Sequence, residues 1–229
     1  MKAMILAAGR GERLRPLTLE TPKPLLPVGG RPLIEWHIEA LVAAGIQGIV
    51  INTAWLGERI EAALGNGQRL GARIEYAREG TPLETLGGLR NALPMLTETD
   101  DEFLVLNGDV WTDFQLAPLV ASRLDANTDA HLVLVPNPDH HSCGDFGLTE
   151  SGRVTLDKED ALTFAGISRL HRRLIDSAPV ETDRLGPVLK QACQQERVIG
   201  TRHDGLWVDV GSPERLETAR TLAGNGKTP

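Results

Sequence analysis

The sequence predicts a Rossmann-like α/β fold, in which a mostly parallel sheet is flanked by helices and carries a small antiparallel elaboration. In the first two-thirds of the chain, short β-rich runs alternate with helical apolar patterns, which is the order expected of parallel strands joined by crossover helices. After about Pro136, shorter runs separated by turn residues indicate antiparallel pairing. The 229 residues, of which 41% are hydrophobic, are enough for a sizeable core.

Five apolar runs are predicted to form strands that are buried on both faces, as is usual in a parallel sheet. They cover residues 3–7, 49–52, 73–76, 103–107 and 131–135. Between the first two runs, Pro32 is predicted to open a helix that ends near Gly45. The apolar stripe of that helix consists of Ile34, Ile38, Leu41 and Val42. Further helices are predicted over residues 56–64, 85–96 and 116–123.

The second part of the chain is predicted to begin with a hairpin, in which residues 146–149 and 153–156 flank the turn Glu150-Ser151-Gly152. The elements expected after it are a strand at 163–170, a helix at 185–195 and a strand pair ending at 207–210. Ser212-Pro213 is a typical start for a last helix. We expect residues 1–223 to form a single domain and residues 224–229 to form a disordered tail.

Charge and cysteine usage argue against several classes of protein. The net charge is −7 and no long basic run occurs, which argues against a nucleic-acid surface. No apolar stretch is long enough to span a bilayer, and the N-terminal apolar run is too short for a secretory signal. Cys143 and Cys193 form no disulfide framework. We therefore expect a cytoplasmic protein without nucleic-acid or membrane partners.

The most informative segment is a glycine-containing loop that directly follows the first strand. Gly9 and Gly11 are followed by Arg13, and Lys23 lies between two prolines, so positive charge is concentrated here in an acidic chain. Glycines let backbone N–H groups approach phosphate oxygens, and open α/β sheets bind ligands at the carboxyl ends of strands. The segment lacks the Walker pattern, and Leu14 stands where a dinucleotide fingerprint has its third glycine. A tight turn with solvated charges is the alternative.

Two acidic residues lie at or just after apolar strands elsewhere in the chain. Asp109 closely follows the run 103–107, and Asp209 lies in the short apolar segment 207–210. A carboxylate after a buried strand can hold Mg²⁺ against phosphates, and a carboxylate among apolar neighbours requires a partner or a metal. A turn or a helix cap is the alternative for each, although Ser212 is better placed than Asp209 as a cap.

Together, the segments L-A-A-G-R-G-E-R-L-R-P-L-T and P-K-P-L-L-P-V resemble the N-terminal motif of the sugar-1-phosphate nucleotidyltransferases, and the similarity extends over nearly the whole chain. The resemblance implies the nucleotide-diphospho-sugar transferase fold and transfer of a nucleotidyl group to a sugar 1-phosphate. It also implies one Mg²⁺ held by Asp109 and Asp209, and catalytic roles for Arg13, Lys23 and Asp109. The nucleotide-binding residues that it implies are Leu6, Ala7, Ala8, Gly9, Gly11, Glu12, Arg13, Lys23, Glu84 and Gly88.

Selection of the nucleobase is expected in the loop 81–88. A flat base can lie against the backbone of Gly87-Gly88, where main-chain N–H and C=O groups can read its edge. The closest relatives in the family have a third glycine where this chain has Leu86, so the base contacts depart from the family pattern at that position. An ordinary loop and helix start is the alternative.

Contacts to the sugar are predicted for Asn107, Asp145 and Asp157. Carboxylates accept hydrogen bonds from sugar hydroxyl and amide groups, and Asp157 stands where the family has the Glu of a Glu-Lys-Pro motif. The adjacent pair His140-His141 lacks the spacing of zinc ligands, so it is predicted to lie in a solvated loop.

Within the family, the resemblance is strongest to short uridylyltransferases that act on N-acetylmuramic acid α-1-phosphate in cell-wall recycling. It rests on residues 52–57, 83–85, 105–113, 137–138, 140–141 and 144–146. It implies UTP and that sugar phosphate as small-molecule substrates, and a monomer or small homo-oligomer. Nucleotidyltransferases that act on mannose or glucose 1-phosphate with GTP or dTTP are the alternative. A non-catalytic nucleotide-sugar sensor is the alternative from a different class, and the presence of Lys23, Asp109 and Asp209 argues against it.

Overall fold

The computed structural model describes residues 1–226 of the chain. Its strands, in chain order, are β1 (Ala3–Leu6), β2 (Pro27–Val28), β3 (Arg31–Pro32), β4 (Gly48–Thr53), β5 (Arg73–Arg78), β6 (Glu102–Asn107), β7 (Val110–Thr112), β8 (Ala130–Val135), β9 (Gly147–Leu148), β10 (Val154–Thr155), β11 (Thr163–His171), β12 (Val198–Arg202) and β13 (Trp207–Asp209). Its helices are α1 (Leu17–Glu20), α2 (Leu33–Ala43), α3 (Gly57–Leu64), α4 (Thr85–Leu96), α5 (Leu116–Ala121), α6 (Arg172–Asp176), α7 (Leu185–Gln194) and α8 (Pro213–Gly224). The elements expected from the sequence lie within a few residues of these positions.

The central sheet has seven strands in the order β12-β8-β11-β6-β1-β4-β5. Neighbouring strands are parallel except for the two pairs that β11 makes, with β6 and with β8. The predicted mostly parallel sheet flanked by helices is therefore confirmed. Helices α4, α6 and α7 pack on one face of the sheet, and α2, α3 and α5 pack on the other.

Strand β11 shows the antiparallel pairing predicted for the second part of the chain, but inside the central sheet. Its residues are almost all buried, because its side chains contribute to the cores on both faces. The register with β8 shifts between Phe164 and Ser168, and Gly166 in that bulge has a φ of 74°. The bulge is favourable next to a site because it redirects side chains at the end of a strand.

The smaller sheets confirm one prediction and correct another. The hairpin around residues 150–152 forms as β9 and β10. The strand pair expected to end at 207–210 is divided between two sheets: β12 joins the edge of the central sheet, and β13 pairs with β7. Residue 206 explains the division, because the Leu206 carbonyl accepts hydrogen bonds from Asp113 N and Thr112 Oγ1 and so draws the chain toward β7.

The last helix begins as predicted, and its end differs. The side chain of Ser212 accepts a hydrogen bond from Arg215 N at 3.4 Å, and Pro213 occupies the first helical position. Gly224, expected in a disordered tail, is the last residue of α8. Residues 227–229 of the predicted tail lie outside the described residues. The prediction of a single domain over residues 1–223 stays a prediction. Between residues 1 and 226, no helix is both long and apolar enough to cross a membrane.

Candidate active site

A cleft lies at the carboxyl ends of β1 and β6, which are parallel neighbours with Leu6 in register with Asn107. Its volume is about 240 Å³. The residues that line it come from the glycine loop, the Pro-Lys-Pro segment, the end of β6 and the start of α4, and they are Leu6, Ala7, Ala8, Gly9, Lys23, Pro24, Asn52, Leu83, Glu84, Thr85, Asn107, Gly108 and Asp109. The two strongest sequence motifs therefore meet in one cleft, at the edge of the sheet where ligands bind in open α/β folds.

A backbone hydrogen bond and an ion pair connect the segment after β6 to the N-terminal motif. Gly108 N donates to the Leu6 carbonyl at 2.9 Å. A Cβ atom at residue 108 would lie 2.6 Å from that same oxygen, so only glycine allows the two segments to approach this closely. Lys23 Nζ lies 2.5 Å from Asp109 Oδ2. The ion pair is partly shielded from solvent, and it places one cation and one carboxylate side by side at the cleft.

The β7–β13 ladder brings the backbone of Asp209 next to that of Asp109, although only Asp109 lines the first cleft. Asp209 is in register with Val110, and Val210 N donates to the Asp109 carbonyl at 2.7 Å. The Asp209 carboxylate lies 3.1 Å from Arg215 Nη2 and 3.1 Å from His140 Nε2. Asp109 thus contacts the Lys23 ammonium, and Asp209 contacts the Arg215 guanidinium and the ring of His140.

Carboxylates such as those of Asp109 and Asp209 are suited to a divalent cation of the Mg²⁺ type, and the sharing of one ion by the two stays a prediction. Hard cations prefer carboxylate oxygen, and Mg²⁺ typically takes only one or two protein carboxylates together with phosphates and water. Among residues 1–226, no group of three or more His, Cys, Asp and Glu side chains could hold a metal by itself. A two-carboxylate site that is completed by the phosphates of a substrate agrees with that donor set.

A buried polar network behind the cleft was not predicted from the sequence. Asn52 Oδ1 accepts a hydrogen bond from Ala7 N at 2.7 Å, and its amide nitrogen donates to Glu79 Oε1 at 2.8 Å. The other carboxylate oxygen of Glu79 accepts from Leu83 N at 2.8 Å. Both polar side chains are buried. The network fixes the start of the glycine loop relative to the predicted base loop. An Asn at the end of an apolar strand, in the run 49–52, was the available signal.

The structure separates the residues expected to contact the base. Glu84 lines the cleft, and its carboxylate lies 3.7 Å from Arg184 Nε. Gly88 is buried inside α4, where a Cβ atom would lie 2.9 Å from Glu79 Oε1. Gly88 therefore makes room for the buried network instead of lining the cleft. Leu86, which departs from the family pattern, is completely buried in the core and leaves the cleft unobstructed.

Three residues of the glycine motif lie beside the cleft and not in its lining. Gly11 has a φ of 62° and its carbonyl accepts a hydrogen bond from Thr18 Oγ1 at 2.8 Å, so it shapes the turn. Glu12 is exposed and lies 3.5 Å from Arg15 Nη2. Arg13 is exposed, and its Nη2 atom would lie 3.0 Å from a Cβ atom at Gly211, two residues after Asp209. The roles predicted for these residues in phosphate binding remain predictions.

Of the three residues predicted to contact the sugar, two line a cleft and one does not. A second cleft of about 280 Å³ shares Thr85 and Asn107 with the first and is also lined by Asp145. Asp145 Oδ2 accepts a hydrogen bond from Phe164 N at 2.9 Å. Asp157 lines neither cleft, is exposed, and accepts a hydrogen bond from Glu159 N within its own turn. The structure thus brings Asn107 and Asp145 together and leaves Asp157 outside.

The histidine pair contacts two of the predicted site carboxylates, of which only Asp145 lines a cleft. His140 Nε2 lies 3.1 Å from Asp209 Oδ1, and His141 Nε2 lies 3.0 Å from Asp145 Oδ1. The prediction of a merely solvated loop is therefore incomplete, because consecutive residues of this loop contact two predicted site carboxylates. Sequence spacing could not show the contact of His140, since Asp209 lies far away along the chain, whereas Asp145 is only four residues after His141.

Comparison with known proteins decides the family. Residues 2–165 match the family model described as nucleotidyl transferase. The chain belongs to the nucleotidyl transferase family. It is 49% identical to the N-acetylmuramate alpha-1-phosphate uridylyltransferase of Neisseria meningitidis serogroup B, over 99% of this chain and 100% of that protein. It is 35% identical to the mannose-1-phosphate guanylyltransferase of Mycobacterium tuberculosis, over 93% of this chain and 61% of that protein.

Solved structures show the same fold in other nucleotidyl transferases and related proteins. A putative glucose-1-phosphate thymidylyltransferase from Bacillus anthracis superposes with a TM-score of 0.85 and 23% identity, over 97% of this chain and 95% of that one. HddC from Yersinia pseudotuberculosis superposes with a TM-score of 0.78 and 22% identity, over 99% of each chain. This nucleotidyl transferase is thus an enzyme of a family that acts on small molecules and generally uses divalent metal ions.

Proposed function

We propose that this nucleotidyl transferase moves a uridylyl group from UTP to N-acetylmuramic acid α-1-phosphate, giving UDP-N-acetylmuramic acid and pyrophosphate. One observation carries the proposal: the 49% identity to the N. meningitidis uridylyltransferase spans 99% of this chain and all of that relative. The mannose-1-phosphate guanylyltransferase of Xenopus tropicalis is 31% identical, and the chain spans only 64% of its length. We extend the proposal to a cytoplasmic monomer or small homo-oligomer that serves cell-wall recycling.

The proposed reaction is an in-line displacement. A phosphate oxygen of the sugar 1-phosphate attacks the α-phosphorus of UTP, the new P–O bond forms, and the bond to pyrophosphate breaks. The nucleophile is already an anion, so the enzyme needs no covalent intermediate. Its contribution is to position the two phosphates and to offset their negative charge.

The proposal assigns that work to Lys23 and to the carboxylates of Asp109 and Asp209. The Lys23 ammonium lies in the lining of the first cleft, where it can bind a phosphate oxygen in exchange for part of its contact with Asp109. Asp109 and Asp209 would hold the divalent cation, for which we propose Mg²⁺. When bound, such a cation supplies positive charge to the crowded phosphate oxygens.

The proposal is tested by a substrate matrix. The purified protein is incubated with Mg²⁺, each of UTP, GTP, dTTP and ATP, and each 1-phosphate of N-acetylmuramic acid, N-acetylglucosamine, mannose and glucose. Release of pyrophosphate is measured, and the nucleotide-sugar is identified by mass. We expect the highest kcat/KM for UTP with N-acetylmuramic acid α-1-phosphate. Dominant guanylyl transfer to mannose 1-phosphate would contradict the proposal and select the alternative.

A matched pair of variants connects the activity to the site. Asp109→Asn removes a carboxylate that the proposal requires, and it should abolish turnover. Asp204→Asn removes an exposed carboxylate that pairs with Arg202 at 2.7 Å, and it should leave turnover unchanged. Equal activity in the two variants would place the chemistry elsewhere.

A further inference from the structure

The second cleft adjoins the first, so it is a candidate site for the sugar that is joined to the nucleotide. It lies over β6 and β11, between the start of α4 and the first turns of α7. Because Thr85 and Asn107 line both clefts, a ligand that extends past the end of β6 passes directly from the first into the second. Its volume of about 280 Å³ is in the range of a single sugar with substituents.

A buried hydroxyl group without a partner lies in the lining of this cleft. Ser168 on β11 is completely buried, and among the described residues no hydrogen-bond partner contacts its Oγ atom. Leaving a buried polar atom unpaired is costly, and such atoms are rare in folded proteins unless a ligand or water completes them. Ser168 and Asn107 are therefore candidates for contacts with hydroxyl or amide groups of a bound sugar.

An exposed lysine also lines this cleft. Lys190 on α7 is exposed, and within residues 1–226 no oxygen lies in hydrogen-bonding range of its ammonium group. The other lysines that the structure describes are engaged: Lys2 and Lys23 pair with carboxylates, and Lys158 donates to backbone carbonyls. Lys190 is thus available for an anionic ligand.

The other charged residue in the lining is already compensated. Asp145 lies 3.0 Å from His141 Nε2 and accepts a hydrogen bond from Phe164 N, so much of its charge is directed away from a ligand. The rest of the wall is largely apolar, with Phe146, Leu185 and Leu189 among its members. The cleft therefore combines an apolar wall, the polar groups of Ser168 and Asn107, and one exposed positive charge.

N-acetylmuramic acid has matching chemistry. It differs from N-acetylglucosamine by an ether-linked lactyl group on O3, which adds a methyl group and a carboxylate. We infer that the second cleft binds the sugar, and that Lys190 binds the lactyl carboxylate and so selects N-acetylmuramic acid over N-acetylglucosamine. Mannose and glucose have no carboxylate, and for them Lys190 would have no partner. The inference rests on the proposed function and names the residue that gives it specificity.

Replacing the lysine tests the inference. Lys190→Met keeps most of the side-chain length and removes the charge. Steady-state kinetics with saturating UTP should show a KM for N-acetylmuramic acid α-1-phosphate that is higher by about 10- to 100-fold, which is the loss expected for a hydrogen bond between charged groups. The KM for UTP and the kcat/KM for N-acetylglucosamine 1-phosphate should not change; where that sugar is turned over too slowly, its inhibition constant is measured instead. Lys190→Arg should retain most of the selectivity.

The control removes a distant charge of the same sign. Arg123 is exposed and lies 3.7 Å from Asp100, away from both clefts, so Arg123→Met should leave every constant unchanged. An unchanged KM for the muramic acid substrate in Lys190→Met overturns the inference and leaves the proposed function standing. If both sugars lose affinity equally, the lactyl contact is also overturned. A wild-type protein that fails to use N-acetylmuramic acid α-1-phosphate at all overturns both.

Ser168→Ala provides an independent test of where the sugar binds. The variant removes an unpartnered hydroxyl, so the melting temperature should stay the same or rise, while the KM for both amino sugars should rise severalfold. Unchanged KM values for both sugars would place the sugar outside this cleft.

Discussion

Lys23 Nζ and Asp109 Oδ2 are 2.5 Å apart, although the two residues are separated by 86 positions in the chain. The contact joins the Pro-Lys-Pro segment to the segment after β6, and it pairs a cation with a carboxylate in the cleft where we propose that the triphosphate binds. The same carboxylate is required for a metal in the proposed mechanism. In the proposed mechanism, the Lys23 ammonium exchanges part of its contact with Asp109 for a phosphate oxygen when substrate and metal bind.

The first prediction concerns that lysine. Lys23→Met should lower kcat/KM by about 100- to 1,000-fold, which is the typical loss when one preorganised electrostatic contact to the transition state is removed. Lys23→Arg keeps the charge and should lose less. Pyrophosphate release measures the effect, and circular dichroism checks the fold. Activity of Lys23→Met within a factor of about two of the wild type would remove Lys23 from the site.

The second prediction concerns the buried network behind the cleft. Asn52→Ala leaves Ala7 N and Glu79 Oε1 without their partner, so the free energy of unfolding should fall by about 1–3 kcal/mol. The KM for UTP should also rise, because the glycine loop loses its anchor. Urea unfolding and UTP titration measure the two effects. Asn66→Ala, at an exposed turn, serves as the control; equal stability of the two variants would contradict the role of the network.

The third prediction concerns the close approach at Gly108. A Cβ atom there would lie 2.6 Å from the Leu6 carbonyl oxygen, which is backbone and cannot move aside cheaply. Gly108→Ala should therefore separate the two walls of the cleft and lower both activity and melting temperature. Gly80→Ala meets no atom within 4 Å and is the matched control. If Gly108→Ala unfolds at the wild-type temperature with full activity, the tight contact is not needed.

The fourth prediction is a pH dependence of stability. Burial lowers the pKa of His37 to about 4, although the charge of Asp109 and a hydrogen bond to Val110 oppose this. The pKa of the ring in the unfolded chain is 6.5, so well above that pH the ring is neutral in both states. As the pH falls from 6.5 toward 4, the unfolded chain binds a proton that the native state excludes, and stability is lost.

Comparison with His37→Gln isolates this contribution, since the other histidines remain. Between pH 7 and pH 4, the free energy of unfolding of the wild type should fall by about 3 kcal/mol more than that of the variant. Denaturant titrations at a series of pH values measure the difference. Parallel curves for the two proteins would show that His37 is not buried in the neutral form.

Much of the fold could be predicted because its patterns are local. The apolar runs and the helical stripe of α2 gave positions close to the observed ones, and helix α4 agrees at both ends. The place of β11 in the middle of the sheet could not be predicted, because strand order depends on which faces are covered in three dimensions. The division of β12 and β13 between two sheets depends on hydrogen bonds to Leu206 that no local pattern encodes.

The lining of the first cleft was predictable where a residue closely follows a strand end, as Asp109 does, or belongs to a recognisable motif, as Lys23 does. It was not predictable where a residue acts through a distant partner. The role of Asn52 becomes visible only from its hydrogen bonds to Ala7 N and Glu79 Oε1, which the sequence does not reveal. The role of a glycine was also ambiguous in the sequence. Gly88 could have made room for a nucleobase or for a buried side chain, and in the structure it makes room for the Glu79 carboxylate.

The central claim is that Asp109 and Asp209 share one divalent cation at the glycine loop, and the most direct test is metal binding itself. Mn²⁺ is titrated into the wild type, Asp109→Asn and Asp209→Asn in the presence of a non-hydrolysable UTP analogue, and free Mn²⁺ is measured by electron paramagnetic resonance. The account predicts a single strong site in the wild type and a large loss of affinity in each variant. Unchanged Mn²⁺ affinity in either variant would contradict it.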